Sequence, residues 1–238
     1  MPSRFVHRSQ QEEIMDDLQC QGEVVHQTLR ELEFINRWLG GNAVTLDGIE
    51  RLTKGHENET LCIADLGCGG GDMLKTLADW GRRNNRSLKL IGIDANPHII
   101  DFASVNCKLY SEISFETLDI FSTEFQKRKY DIIMGTLFYH HFKNEVLIGF
   151  FSKLAHQARV GLVINDIHRH WLAFHSIRLL TNLFSKSSMV KFDAPLSVLR
   201  AFTREELVDI LTKAGIKEFQ LKWKWAFRWQ IAVSKNFE

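Results

Sequence analysis

The residues with the most explicit chemistry are Asp65, Gly67, Gly69, Gly71, Asp72 and Asp94. In Ile63-Ala64-Asp65-Leu66-Gly67-Cys68-Gly69-Gly70-Gly71-Asp72 a short apolar run ends in an acid. A glycine cluster then opens into a helix-like segment, Met73-Leu74-Lys75-Thr76-Leu77-Ala78. Without a Cβ, glycine lets the backbone turn sharply and approach a ligand closely. The helix start behind the turn presents free N–H groups to that ligand. A second apolar run, Leu88-Lys89-Leu90-Ile91-Gly92-Ile93, ends in Asp94, whose carboxylate can accept both hydroxyls of a ribose. The two features together read as a site for a nucleoside cofactor.

The glycine spacing narrows the choice. The dinucleotide fingerprint needs Gly-x-Gly-x-x-Gly, and the position three after Gly69 is Asp72. No Lys-Ser/Thr pair follows the glycines, which removes the phosphate-cradling loop. Asp65, directly before the turn, would repel a pyrophosphate but suits the cationic amino-acid end of S-adenosylmethionine (SAM). The arrangement resembles the glycine-rich motif of the class I SAM-dependent methyltransferases. That resemblance implies Asp65, Gly67, Cys68, Gly69, Asp72, Asp94 and Ala95 as cofactor contacts, with S-adenosylhomocysteine as product.

The elements that would position these residues follow from periodicity. Residues 1–60 read as a helical cap: Val24, Val25, Thr28, Leu29, Leu32, Ile35, Trp38 and Leu39 recur at three- and four-residue spacing, and Gly40-Gly41 stops that helix. From residue 61 to 166 apolar runs alternate with helical patterns, the mark of βαβ units and a parallel sheet. The expected strands are Leu61–Asp65, Leu88–Asp94, Ile113–Leu118, Tyr130–Gly135 and Val160–Ile164. The intervening helices are expected at Asp72–Trp80, Pro97–Cys107 and Glu145–His156. Residues 167–200 form an insertion too long for a plain connection, with a helix near 171–184. Residues 201–238 supply a helix opened by the capping box Thr203-Arg204-Glu205-Glu206. Two tightly joined strands, Phe219–Trp223 and Phe227–Val233, then end the sheet. The fold class is α/β: a Rossmann-like class I methyltransferase sheet of seven strands, the last antiparallel, in one domain with a helical N-terminal cap and a lid insertion.

Composition excludes several classes. The chain has 238 residues, 45% hydrophobic and 25% charged, with a formal net charge of +1. Such a balance gives no electrostatic pull toward nucleic acid or acidic membrane. No apolar run reaches the ~18 residues of a membrane span, and the N-terminus lacks a signal-peptide core. Cys20, Cys62, Cys68 and Cys107 are scattered and read as reduced thiols, which suits a cytoplasmic protein.

Other segments fall where the same family places its motifs. Leu118-Asp119-Ile120-Phe121 is similar to the segment that holds the adenine, Asp119 accepting from the amine and Ile120 packing on the base. Tyr130-Asp131-Ile132-Ile133 resembles the fourth-strand motif; Thr136, which the resemblance implies as a further cofactor contact, and the residues to Phe142 follow it near the methyl group. Within the superfamily the likeness is to enzymes of the ubiquinone/menaquinone methyltransferase type. Gln11 to Leu18, Asn36-Arg37-Trp38-Leu39-Gly40-Gly41 and Asn165-Asp166-Ile167-His168-Arg169-His170 look like bacterial members found beside type III polyketide synthases, which implies secondary metabolism.

Methyl transfer is an in-line displacement, so the protein chiefly holds nucleophile, methyl carbon and sulfur in line. A phenol or enol nucleophile also gains from a base. The candidates beyond the strand ends are His140 and His141, then Asp166, His168 and His170, with His141 and His168 foremost. No metal is expected, because His168, His170, His175 and Asp166 match no ligand pattern and a hard cation prefers more carboxylates. The insertion is expected to be a lid over an apolar substrate; packing against the N-terminal helix, or mediating dimerisation, is the alternative. The expected function is O-methylation of a small apolar or aromatic acceptor by a monomer or homodimer. A nucleic-acid or protein methyltransferase, and a non-catalytic SAM-binding partner subunit, are the competing readings.

Overall fold

The computed structural model describes residues 3–235. Residues 3–22 contain only two short 3₁₀ turns, Ser3–Phe5 and Ile14–Asp16, so the expected helical character of residues 1–60 begins at Glu23. Two helices follow: α1 (Glu23–Trp38) and α2 (Gly41–Leu52). Gly40, at φ +70°, makes the left-handed break between them. The segment before α1 is instead a strap fixed by charged side chains. Arg8 donates from Nε to Arg200 O (2.6 Å), from Nη1 to Asn144 Oδ1 (2.6 Å) and from Nη2 to His140 O (2.8 Å).

The alternating core runs β1 (Leu61–Leu66), α3 (Asp72–Arg83), β2 (Leu88–Asp94), α4 (Pro97–Asn106), β3 (Ile113–Thr117), the short α5 (Thr123–Gln126), β4 (Tyr130–Thr136), α6 (Asn144–Gln157) and β5 (Ala158–Ile167). Then come α7 (Trp171–Phe184), α8 (Ser188–Arg200), α9 (Arg204–Lys213), β6 (Gln220–Lys224) and β7 (Arg228–Ser234). The strands form one seven-stranded sheet in the order β3-β2-β1-β4-β5-β7-β6. β1 to β5 pair in parallel, β7 is antiparallel to both β5 and β6, and so β7 alone runs against the rest. The order reverses at β1 and β4, and ligands of open α/β sheets sit beyond the strand ends at such a switch point.

Apolar side chains on both faces explain the near-continuous hydrophobic runs of the central strands. One face packs Leu66, Ile133 and Ile164 against Phe151 and Leu154 of α6 and Leu207 of α9. The other packs Ile63, Leu90 and Met134 against Ile49 of α2 and Leu74 and Leu77 of α3. The Thr203 capping box is present as read, with Glu206 N donating to Thr203 Oγ1 and Thr203 N to Glu206 Oε2.

The insertion holds two helices where the sequence shows one. α7 matches the expected span. α8 is hidden in the sequence because both its sides are covered, burying Asp193, Ser197 and Arg200 alongside Met189, Val190 and Leu196, and because Pro195 lies inside it. It is anchored to α1: Ser187 Oγ lies 2.8 Å from Thr28 Oγ1, and Glu31 accepts from the Lys186 N–H (3.0 Å) and the Ser187 N–H (3.2 Å).

Candidate functional site

Above the switch point lies a cavity of about 1110 Å³. Pockets for one drug-sized ligand run to ~300–1,000 Å³, so this one has room for a cofactor and an acceptor together. Asp65, Gly67, Cys68, Gly69, Asp72, Asp94, Ala95, Asp119, Ile120 and Thr136, the expected cofactor contacts, all line it.

The glycine turn is built by its backbone. Gly67, Gly69 and Gly71 have φ of +65°, +50° and +77°, in the left-handed region where side chains are strained. At Gly67 an added Cβ would stand 2.1 Å from the Phe138 ring, so Phe138 closes directly over the turn. Asp94 Oδ1 accepts from the Asn96 N–H at 3.0 Å. Burial raises the Asp94 carboxyl, and hydrogen bonds from backbone N–H groups partly offset it. Asp65 is 2% exposed, and its Oδ1 has no hydrogen-bond partner among the described residues. Burial, with the charges of Asp72 and Asp94, holds its carboxyl well above the usual range, a state that a cationic ligand group would reverse. Asp72 accepts from Asn42 Nδ2 (3.1 Å), and Thr136 Oγ1 lies 2.7 Å from Thr45 Oγ1.

The five candidate bases separate. His140 and His141 line the cavity, whereas Asp166, His168 and His170 do not. Asp166 is fully buried beneath the wall and spends its oxygens on structure: Oδ2 accepts from the N–H groups of Tyr139 (2.9 Å) and His140 (3.1 Å), and Oδ1 faces His140 Nδ1 at 2.7 Å. Burial alone would raise its carboxyl, but the charge and hydrogen bond of His140 outweigh this and leave it lowered. Its place corrects the sequence reading: Asp166 positions the 3₁₀ turn Tyr139–His141 and is not a base at the acceptor.

His168 and His170 are the second correction. His168 Nδ1 accepts from Trp223 Nε1 at 3.3 Å and its ring packs on Trp229; Trp223 lines the cavity and His168 does not. Burial, then the charges of His170 and Arg169, push its pKa down to about 4. His170 caps α7, accepting from the Leu172 N–H at 3.2 Å, and stacks on Phe227. The arginine between them, Arg169, ties the chain together by donating to Phe5 O and to both carboxylate oxygens of Glu206.

His141 carries the arrangement that proton transfer requires. Its Nδ1 faces Asp16 Oδ1 at 2.5 Å. An ionised carboxylate only accepts, so Nδ1 holds the proton and Nε2 is left as the acceptor. Asp16 is in turn paired with Arg200 Nη1, and Arg200 Nη2 donates to His141 O at 2.7 Å. Burial opposes ionisation of Asp16, but the hydrogen bond and charge of His141, then Arg200, hold its carboxyl far below the usual range. Glu13 lies beside this chain, 3.6 Å from His140 Nε2 and 3.8 Å from Arg200 Nη1, its Oε2 accepting from Ser197 Oγ at 2.9 Å. Burial pushes Glu13 up to about 7 against the opposing charges of His141 and Arg200.

Glu13, His140 and His141 bring three donor atoms within 4.8 Å of one another, the spacing of a metal site, in a place the sequence reading did not consider. The imidazole planes lie only 31° apart with centroids at 4.3 Å, so the rings stack one above the other. Arg200 already supplies positive charge to Glu13.

The raised Glu13 carboxyl has a consequence for stability. A group whose folded pKa lies above its unfolded value binds more protons in the native state, so stability falls as pH rises between the two. With the unfolded value near 4.5 and the folded value about 7, the loss amounts to about 3 kcal/mol across that window. Chemical denaturation of wild type and Glu13→Gln from pH 4.5 to 7.5 is expected to show a decline about 3 kcal/mol larger in wild type; parallel curves would contradict it.

Sequence reasoning missed Asp16, Arg200 and Glu13 around the histidine pair. Arg200 meets Asp16 across 184 positions, and no local spacing signals such a pairing.

Over residues 63–161 the chain matches the family model described as "Methyltransferase domain". The likeness to a methyltransferase domain is to that stretch, under half of the chain. It runs from β1 into β5 and includes the glycine turn and Asp94. A search of the curated proteins finds no match. Among solved structures, the plantazolicin methyltransferase BamL, in complex with a triazolic desmethylPZN analog and SAH, is similar in fold. It has a TM-score of 0.61 and 19% identity, over 83% of this chain and 71% of that one. Human N-acetylserotonin methyltransferase in complex with SAM has a TM-score of 0.65 and 18% identity, over 94% of this chain and 59% of that one. The CurJ carbon methyltransferase has a TM-score of 0.60 and 16% identity, over 82% and 53%. These likenesses bear out the Rossmann-like class I methyltransferase sheet read from the sequence. Among the described residues no helix is long and apolar enough to cross a membrane.

Proposed function

We propose that this chain is a SAM-dependent methyltransferase that methylates a hydroxyl of a small, apolar or aromatic acceptor, with His141 as the base. The observation that carries the reading is the shared cavity. The wall that holds the glycine turn, Asp65 and Asp94 also holds His141, with its proton fixed on Nδ1 by Asp16.

SAM, when bound, supplies an activated methyl group on a sulfonium. Asp94 takes the ribose, Asp65 the ammonium of the methionyl end, and Asp119 with Ile120 the adenine. The acceptor lies between His141 and the insertion, where Leu32 and Ile35 of α1, Ile177 and Leu180 of α7 and Val190 of α8 make an apolar wall. Such a wall suits a phenol, quinol or polyketide-like molecule, and burying it there drives binding. His141 Nε2 would take the proton of an acceptor hydroxyl held in line with the methyl group that SAM would supply. Asp16 stays ionised throughout and stabilises the imidazolium, the orienting part a carboxylate plays behind a catalytic histidine. α7 and α8 act as the lid that excludes water, with their ties to α1 at Thr28 and Glu31 setting its closed position. A metal has no part in this scheme, which corresponds to unchanged turnover in the presence of a chelator.

The test is transfer of label from methyl-labelled SAM to a panel of phenols, quinols and polyketide-like acceptors and to their O-methyl ethers. Label on the free hydroxyl compounds and none on the ethers is expected. Label on a carbon of the blocked ethers would replace O-methylation by C-methylation, and binding of SAM with no transfer to any acceptor would favour a partner subunit.

A further inference from the structure

The formal net charge of +1 conceals a local imbalance: residues 167–200 carry five basic side chains and a single acid. Arg169 and Arg200 are buried and paired with Glu206 and Asp16. The acid, Asp193, is buried as the acceptor of the Ile14 and Met15 N–H groups. The other three, Arg178, Lys186 and Lys191, are exposed and have no acidic partner among the described residues. Exposed apolar side chains accompany them. On α7, Leu172, Leu179 and Leu183 recur at seven- and four-residue spacing, which puts them within about 40° of one another on one helical stripe. Leu179 is 60% exposed and Leu183 65%. Beside that stripe on the same helix, Ser176 and Leu180 line the cavity. Trp38, at the end of α1, and Trp225, between β6 and β7, line it too, yet are 70% and 75% exposed. The cavity therefore has a rim of exposed apolar side chains, continuous on α7 with its inner wall.

We propose that this face docks on an anionic lipid surface, the leucine stripe and the two tryptophans entering the interfacial layer while Arg178, Lys186 and Lys191 meet lipid phosphates. A large exposed apolar patch edged by polar residues marks an interaction site. Leucine and tryptophan on one side of a helix layer, with long cationic side chains at its edge, is the pattern of an interfacial element. Charge decides the occupant. A second copy of this chain on a two-fold axis would bring the same unpaired cations to both sides of the contact. A layer of anionic headgroups supplies the negative charge that residues 167–200 do not expose. Docked in this way, the cavity receives an apolar acceptor from the bilayer, between α1 and α7, without its crossing water. That last step rests on the methylation reading; the docking itself does not.

The test is co-sedimentation of the full chain with vesicles of phosphatidylcholine alone and of phosphatidylcholine mixed with phosphatidylglycerol, without SAM. Wild type is expected to bind the mixed vesicles far more tightly than the neutral ones. Each cation near an anionic surface is worth about fivefold, so Arg178→Gln/Lys186→Gln/Lys191→Gln should lower that binding by about 100-fold. Leu183→Asn should lower it by about tenfold at unchanged charge. Leu109→Asn makes the same change at an exposed leucine just before β3, at the end of the sheet opposite the cavity, and should bind like wild type. No binding by wild type, binding that ignores phosphatidylglycerol, or equal losses in Leu183→Asn and Leu109→Asn would each overturn the proposal. A solution dimer in sedimentation velocity that Leu183→Asn dissolves and Leu109→Asn keeps would overturn it too, giving the face to a second copy. With SAM absent from the assay, failure of the cofactor reading would leave all of these results unchanged.

Discussion

Replacing Asp94 by alanine is expected to weaken SAM by about 100-fold. The carboxylate can accept both ribose hydroxyls, and each hydrogen bond to a charged group contributes about 1.5–3 kcal/mol. Losing the pair therefore removes about 3 kcal/mol or more, and 1.4 kcal/mol is a factor of ten. Asp94 also holds the Asn96 N–H at the start of α4, so the truncation disturbs the loop as well as the ligand. Asp94→Asn separates the two effects, because the amide oxygen keeps that backbone bond while one acceptor becomes a donor. Asp94→Asn should fold with wild-type stability and still bind SAM at least tenfold more weakly. Wild-type affinity in both variants, read by calorimetry, would remove the ribose role from β2.

The second large effect concerns turnover. General-base catalysis contributes about 10²–10⁴-fold, so His141→Ala is expected to lower kcat by that range while the Kd for SAM changes little. Asp16→Asn should lower kcat too, because an amide no longer fixes the proton on Nδ1. The comparison with His168→Ala makes the test specific. His168 does not line the cavity and is held by Trp223 and Trp229, so its removal should leave kcat within about twofold. A kcat that falls in His168→Ala and not in His141→Ala would reverse the assignment made from the geometry.

Much of the core was legible because its signals are local. β2 begins and ends where the run Leu88–Ile93 and its terminal acid place it, since its buried part, Leu90–Ile93, must lack polar side chains while Lys89 is exposed. The positive φ of Gly67, Gly69 and Gly71 follows from a turn that only glycine makes without strain. α8 was not legible, because a helix buried on several sides loses the stripe that periodicity detects, and Pro195 speaks against a helix on its own. The catalytic side of the cavity was legible only in part. His140 and His141 stand out as a pair after β4, but their partners come from other parts of the chain, Asp16 from the strap and Asp166 from β5. Histidines 168 and 170 looked equivalent to them in sequence. The antiparallel pairing of Ile167 with Arg228 decides otherwise, turning that segment toward the aromatic residues of the β6–β7 hairpin.

The central claim is that the cavity above β1 and β4 holds SAM. Calorimetric titration of the purified protein with SAM and with S-adenosylhomocysteine, beside NAD as a control, tests it directly. Saturable micromolar binding of the first two and none of NAD is the predicted result. Binding of NAD, or no binding of either adenosyl ligand, would contradict the account.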